Sequence, residues 1–252
     1  MLFPLLAVLV LFHVAFVVAL LRKDNSLADI VWGLGFITMA VVSVWVTQNF
    51  SARSMVMLVL VVAWGGRLAF HIASRNRGKG EDYRYKAWRQ EWGKWWLVRS
   101  YLQVFLLQAV LLMVIAIPVW WIPFLEPESL KLVDLAGVLV WLVGFYFEAV
   151  GDWQLVQFKK DGQHKGELMT TGLWKFTRHP NYFGEATMWW GVALIAWQGG
   201  LGVFSLISPI AITFLLTKVS GVPMLEKKYQ GRPDFEAYKR QTNAFIPWFP
   251  KP

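Results

Sequence analysis

LFPLLAVLVLFHVAFVVALLRK, residues 2–23, decides the fold. Twenty residues, apolar but for His13, run without a break into Arg22-Lys23. A helix rises about 1.5 Å per residue, so about 20 residues cross the hydrocarbon of a bilayer. The stretch has no basic start and no small-residue cleavage site, so it is expected to be a retained anchor and not a signal peptide. Six more apolar blocks follow, at 27–47, 54–73, 102–124, 132–151, 183–197 and 201–217. The last two are short. Gln198-Gly199-Gly200 separates them, which suits a helical hairpin embedded in the membrane.

The composition agrees. Hydrophobic residues make up 56% of the 252 and charged residues 16%, against about 25% charged in soluble domains. A disordered chain lacks apolar surface, and this one has a surplus. The sequence contains no cysteine, which excludes disulfides and thiolate chemistry. The four histidines are scattered, so no metal site is expected.

The net charge of +9 follows the topology. Of 25 Lys and Arg, 22 fall in four stretches: Arg22-Lys23, then residues 74–101, 152–182 and 218–252. The intervening connections hold only Arg53 and Lys131. Seven spans with the N-terminus outside put every basic-rich connection in the cytoplasm, as the positive-inside rule requires. The expectation is one all-α integral membrane domain, residues 1–252, with about seven transmembrane helices and a cytoplasmic C-terminus. A bacterial inner membrane is the expected location. The basic stretches also suit anionic headgroups, above all 74–100, where Trp88, Trp92, Trp95 and Trp96 interleave with cations. Nucleic acid is not an expected partner in a membrane setting.

Ionisable side chains inside membrane segments are costly and point to function. Asp29, Arg67, His71, Glu148, Asp152 and Glu185 all fall in the cytoplasmic third of their segments under this topology. Arg67 and His71, Glu148 and Asp152, and Asn181 and Glu185 each stand four apart, on one helix face. The plainer account is a set of helix-end residues reaching for water, or ion pairs that fix packing. Six at one depth fit a polar pocket open to the cytoplasm better. The densest stretch is Gly172-Leu-Trp-Lys-Phe-Thr-Arg-His-Pro-Asn-Tyr-Phe-Gly-Glu185. Pro180 suits a first helical turn. Lys175, Arg178 and His179 surround the positive end of that helix, which makes an anion site, most naturally for phosphate.

Thr177-Arg-His-Pro-Asn-Tyr-Phe-Gly-Glu185 resembles the signature of integral-membrane sterol and steroid reductases. The nearest branch is the DUF1295 group of the steroid 5α-reductase-like superfamily. Residues 26–35, Arg67, 75–85, 148–155 and 220–226 read like that branch as well. The resemblance implies an NADPH-dependent reductase of lipid metabolism, acting on an electron-poor C=C of a steroid-like or other lipid enone. It places Asn181 and Glu185, with Tyr182 between them, at the nicotinamide and ribose end. Glu148 and Asp152 fall on the adenosine side, and Lys159 and Lys218 join Lys175, Arg178 and His179 as cations for phosphate. The chain has no G-x-G-x-x-G run, so a Rossmann site is not available. The steroid reductases use a Glu–Tyr pair early in the chain. Here the first two segments contain no Glu, and Trp64 takes the place of the Tyr. Asp29 and Tyr85, then Arg67 and His71, are the substitutes for polarising the carbonyl and delivering a proton. Arg178-His179-Pro180 is also shared with isoprenylcysteine carboxyl methyltransferases, so an S-adenosylmethionine-dependent membrane methyltransferase is one alternative. A non-enzymatic lipid-binding protein on the same fold is another.

Overall fold

The computed structural model describes every residue but Glu128, Lys165 and Pro252, and Gln163 by its backbone only. Lys165, one of the cations counted in 152–182, therefore lies outside the described residues. Helices dominate, and the described residues contain no strand. Among the described residues, six helical stretches are long and apolar enough to cross a membrane. The last, Pro180–Lys227, has 48 residues, and as one straight helix it would reach about 72 Å, more than twice the hydrocarbon thickness. Gly200 (φ 96°) and Gly202 (φ 57°) break it. It thus contains the two short apolar blocks, and the count of about seven spans stands.

The chain forms two compact units. The first comprises Met1–Lys131 and Ile195–Ser205. It is built on α1 (Leu2–Arg22), α2 (Leu27–Thr47) and α3 (Ala52–Asn76). Lys23, in a left-handed conformation with φ 53°, caps α1 and turns the chain back. Gln48, also at φ 53°, does the same after α2. Ser51 starts α3, its hydroxyl accepting the Ser54 N–H. Helices α2 and α3 touch backbone to backbone at Gly33 and Gly65. A Cβ on Gly33 would lie 2.5 Å from the Gly65 carbonyl oxygen, and one on Gly65 would lie 2.6 Å from that of Gly33. Small residues let membrane helices approach this closely, and dispersion then holds them.

Next come α4 (Tyr83–Trp92), α5 (Trp96–Arg99), a π-helical stretch Ser100–Leu106, α6 (Leu107–Ile115) and α7 (Ile117–Trp121). Tyr101 and Phe105 of the π-helical stretch pack on Phe16 of α1, at ring distances of 5.0 and 5.3 Å. Arg53 is buried and gives a hydrogen bond of 3.1 Å to the Ser129 carbonyl. The sequence had placed it in a water-facing connection.

The second unit comprises Leu132–Leu194 and Leu206–Pro252. It holds α8 (Leu132–Lys160), α9 (Pro180–Ala196, whose last two residues belong to the first unit), α10 (Ile207–Phe214), α11 (Val222–Lys227) and α12 (Pro233–Gln241). Gly137, Gly144 and Gly151 recur every seventh residue of α8, and Gly184 and Gly191 do so on α9. The two sets meet in antiparallel register. A Cβ on Gly191 would lie 2.5 Å from the Gly137 oxygen, and one on Gly144 would lie 2.5 Å from that of Gly184. Gly151 faces the Pro180 ring, whose Cγ is 3.1 Å from where its Cβ would stand.

The C-terminal segment is tied to the loop before α9. Arg178 is buried, and its Nε gives a 2.8 Å hydrogen bond to Glu226 Oε1. The guanidinium also donates to the carbonyls of Thr242 and Lys239. Tyr238 donates its hydroxyl to the Trp174 carbonyl, and burial raises that phenol above its ordinary pKa.

Gly66 has open space where a side chain would start. Gly66→Ala should therefore stabilise α3 by about 1 kcal/mol, whereas Gly65→Ala should lower the melting temperature by forcing α2 and α3 apart; thermal melting in detergent checks both signs. Glu226→Ala leaves Arg178 buried without its counter-charge. It should cost about 3 kcal/mol and speed limited proteolysis after residue 227.

Candidate cofactor site

In the second unit, Glu148 and Asp152 sit one turn apart on α8, and both are buried. The glycine contacts fix what they meet. The Gly184 backbone lies against that of Glu148, where a Cβ would collide with the Glu148 amide nitrogen. Gly151 lies against Pro180. The first turn of α9 therefore lies over the second half of α8, and Asn181 Nδ2 gives a 3.2 Å hydrogen bond to Asp152 Oδ1. Asn181 and Glu185 are half-buried and one turn apart on α9. Four polar residues of the sequence analysis thus come from two facing helices. Carboxylates and an amide in such a setting offer acceptors for hydroxyls and a donor for a carbonyl.

The loop before α9 is held from three sides. The Trp174 indole donates to the Gly151 carbonyl at 3.1 Å. Gln154 Oε1 accepts the Leu173 N–H at 3.0 Å. Gly172 allows this approach, since at φ 61° its Cβ would stand 2.5 Å from the Gln154 amide nitrogen. The Thr177 hydroxyl donates to the Phe245 carbonyl at 2.8 Å. His179 packs flat against Tyr182, with centroids 5.4 Å apart, and its Nε2 lies 3.1 Å from Glu226 Oε1.

The five expected cations divide into two groups. Arg178 and His179 are buried and turned toward Glu226. Lys159, Lys175 and Lys218 are exposed. The role of Glu226 was not legible, because it stands 48 residues from Arg178 and no local spacing joins them.

In the first unit, Asp29 and Tyr85 meet. The Tyr85 hydroxyl donates to Asp29 Oδ1 at 2.5 Å, and Arg84 Nη2 reaches Asp29 Oδ2 at 2.7 Å. Five neighbours brace the pair. Asp82 caps α4 and accepts from the Arg84 N–H at 3.0 Å. The Asp82 N–H donates to Ser26 Oγ at 2.7 Å, and the Asn25 N–H donates to Glu81 Oε1 at 3.0 Å. Arg89 closes on Glu81 at 2.7 Å. Burial pushes the Asp82 carboxyl up, but the side chain and N–H of Arg84 outweigh it and hold the pKa below the usual carboxylate range. Its stabilisation is therefore present above its unfolded pKa and lost as pH falls through the folded one. Asn25, Ser26, Glu81 and Arg89 were not among the expected site residues. Arg67 and His71 are half-buried, one turn apart on α3. No group of three or more His, Cys, Asp or Glu among the described residues has a metal-binding arrangement.

Comparison with known proteins gives the family. The family model "Protein of unknown function (DUF1295)" matches residues 15–242. The 3-oxo-5-alpha-steroid 4-dehydrogenase 1 of Mus musculus is 31% identical over 114 residues, 45% of this chain and 42% of that one. The steroid 5-alpha-reductase DET2 of Gossypium hirsutum is 38% identical over 71 residues, 28% of each chain. An uncharacterized protein of Schizosaccharomyces pombe is 25% identical over 234 residues, 78% of this chain and 64% of its own. The chain thus spans less than half the length of these two steroid reductases. The family match runs from α1 to the end of α12, through both polar clusters, and the chain belongs to the DUF1295 family of steroid 5α-reductase-like membrane proteins.

Proposed function

We propose that the protein is a membrane-bound, NADPH-dependent reductase that saturates an electron-poor C=C of a lipid enone. The observation that carries this reading is the Asn181–Asp152 contact beside buried Glu148, in a chain related to proteins named 3-oxo-5-alpha-steroid 4-dehydrogenases. A scaffold has no use for buried carboxylates in a membrane helix, since each is costly there.

The residues of the second unit fit a dinucleotide. Asp152 and Glu148 supply acceptors for ribose hydroxyls. Asn181 and Glu185, on the adjoining face of α9, suit a carboxamide, with Tyr182 beside them. Lys159, Lys175 and Lys218 are exposed cations suited to phosphate. Arg178 and His179 act differently in this reading: they hold the loop and the α9 start in place through Glu226. When bound, NADPH would supply the hydride. Within the first unit, the Asp29–Tyr85 pair, with Arg84 balancing the carboxylate charge, and half-buried Arg67 and His71 are further polar groups suited to proton chemistry.

NADPH added to the purified full chain should raise its melting temperature. Asn181→Ala and Glu185→Ala should each weaken NADPH binding about 10-fold or more, the scale of a lost hydrogen bond to a charged group, in protein that still folds and melts cooperatively. Unchanged affinity in both variants would remove the site. Stabilisation by S-adenosylmethionine and not by NADPH would replace the reductase with a methyltransferase. Replacing Lys159, Lys175 and Lys218 together by Gln should weaken NADPH more than NADH, because only NADPH carries the extra phosphate; equal losses would take these lysines off that phosphate.

A further inference from the structure

Residues 75–99 carry eight cations. Two are committed: Arg84 to Asp29 and Asp82, and Arg89 to Glu81. The other six, Arg75, Arg77, Lys79, Lys86, Lys94 and Arg99, are exposed. Among the described residues, none of the six forms an ion pair with a carboxylate, and Glu91 is the one acid of the stretch left over. Such a density of unbalanced charge works against the folded state unless something negative lies against it.

The apolar side chains say where that partner lies. Trp95 is 58% exposed, Val98 48% and Leu97 44%. Tyr83 is exposed as well. Aromatic and apolar groups interleaved with cations, at the end of one membrane helix and the start of the next, belong at headgroup depth. Nucleic acid would account for the charge and leave the exposed Trp, Leu and Val in water.

The stretch is also rigid enough to hold a pattern. Its start is pinned to the turn between α1 and α2 by the Asp82–Ser26 and Asn25–Glu81 hydrogen bonds. Arg89 stacks on the Trp96 ring at 4.3 Å and ties α4 to α5. Trp88 stacks on Trp92 at 5.7 Å. Gly93, at φ 49°, makes the corner between the two helices.

We propose that residues 75–99 form a binding surface for anionic phospholipid headgroups, with the six exposed cations meeting the phosphates and Trp95, Leu97 and Val98 entering the acyl boundary. This surface lies outside the residues assigned to the cofactor and stands whether or not the protein is a reductase.

The test uses the full chain in neutral detergent, melted with added phosphatidylglycerol, phosphatidylcholine or inorganic phosphate. Phosphatidylglycerol should raise the melting temperature more than phosphatidylcholine, and added salt should shrink the difference. The variant Arg77→Gln/Lys79→Gln/Lys86→Gln/Lys94→Gln should lose more than half of that difference. A control, Lys160→Gln/Lys227→Gln/Arg240→Gln/Lys251→Gln, removes equal charge elsewhere and should keep it. Equal loss in both variants would mean that total charge, not this surface, recruits the lipid. Equal stabilisation by inorganic phosphate would overturn the membrane assignment. Loss of NADPH binding with the phosphatidylglycerol response intact would give the four cations to the cofactor.

Discussion

Everything in the second unit depends on how closely α8 and α9 approach. In a membrane the hydrophobic effect does not press helices together, because lipid tails are as apolar as leucine. Contact has to come from shape. Gly137, Gly144 and Gly151 against Gly191, Gly184 and Pro180 supply it, with backbones near enough that a single methyl at Gly144 would fall 2.5 Å from a carbonyl oxygen. The same closeness lays Asn181 on Asp152 and sets Gly184 on the Glu148 backbone. A bulkier seam would move these polar groups apart. Packing and site are one constraint here.

Charge inside this protein does two kinds of work. Arg178 and His179 form a clasp: they share the Glu226 carboxylate, and Arg178 gathers carbonyls of the C-terminal segment around it. Lys159, Lys175 and Lys218, by contrast, are exposed. A buried guanidinium with a carboxylate and several carbonyls around it suits a fixed structural joint, since leaving any of those groups unpaired is costly. An exposed ammonium on a flexible stem suits a ligand that comes and goes.

The spans were legible because length and apolarity are local properties. Residues 2–21 and 27–47 fall on α1 and α2 almost to the residue, and Gln198-Gly199-Gly200 stands where the last long helix breaks. Glu148, Asp152 and Glu185 could be singled out because ionisable groups in or beside apolar blocks are rare, and Asn181 because it stands four residues from Glu185. Asp29 and Tyr85 stand on separate helices, 56 residues apart, yet they share a hydrogen bond. The braces around them were missed because Asn25, Ser26 and Glu81 look like ordinary loop polarity until the α1–α2 turn meets the start of α4. The period-seven glycines were in plain view. A repeat of small residues gains meaning only when two helices carry it in opposite directions.

The π-helical stretch Ser100–Leu106 has its own consequence. A wide turn of this kind holds an extra residue relative to an α-helix, and each residue of an α-helix turns the chain by about 100°. Ser100, at the head of the stretch, receives a 3.0 Å hydrogen bond from the Asn25 side chain, while Phe105, near its foot, packs on α1. The bulge therefore absorbs one residue between two fixed ends. It lets α5 keep the register matched to the polar turn while α6 keeps the register matched to its apolar neighbours. Removing one residue from this run would tighten the wide turn into an ordinary α-helical one and leave the two halves in phase.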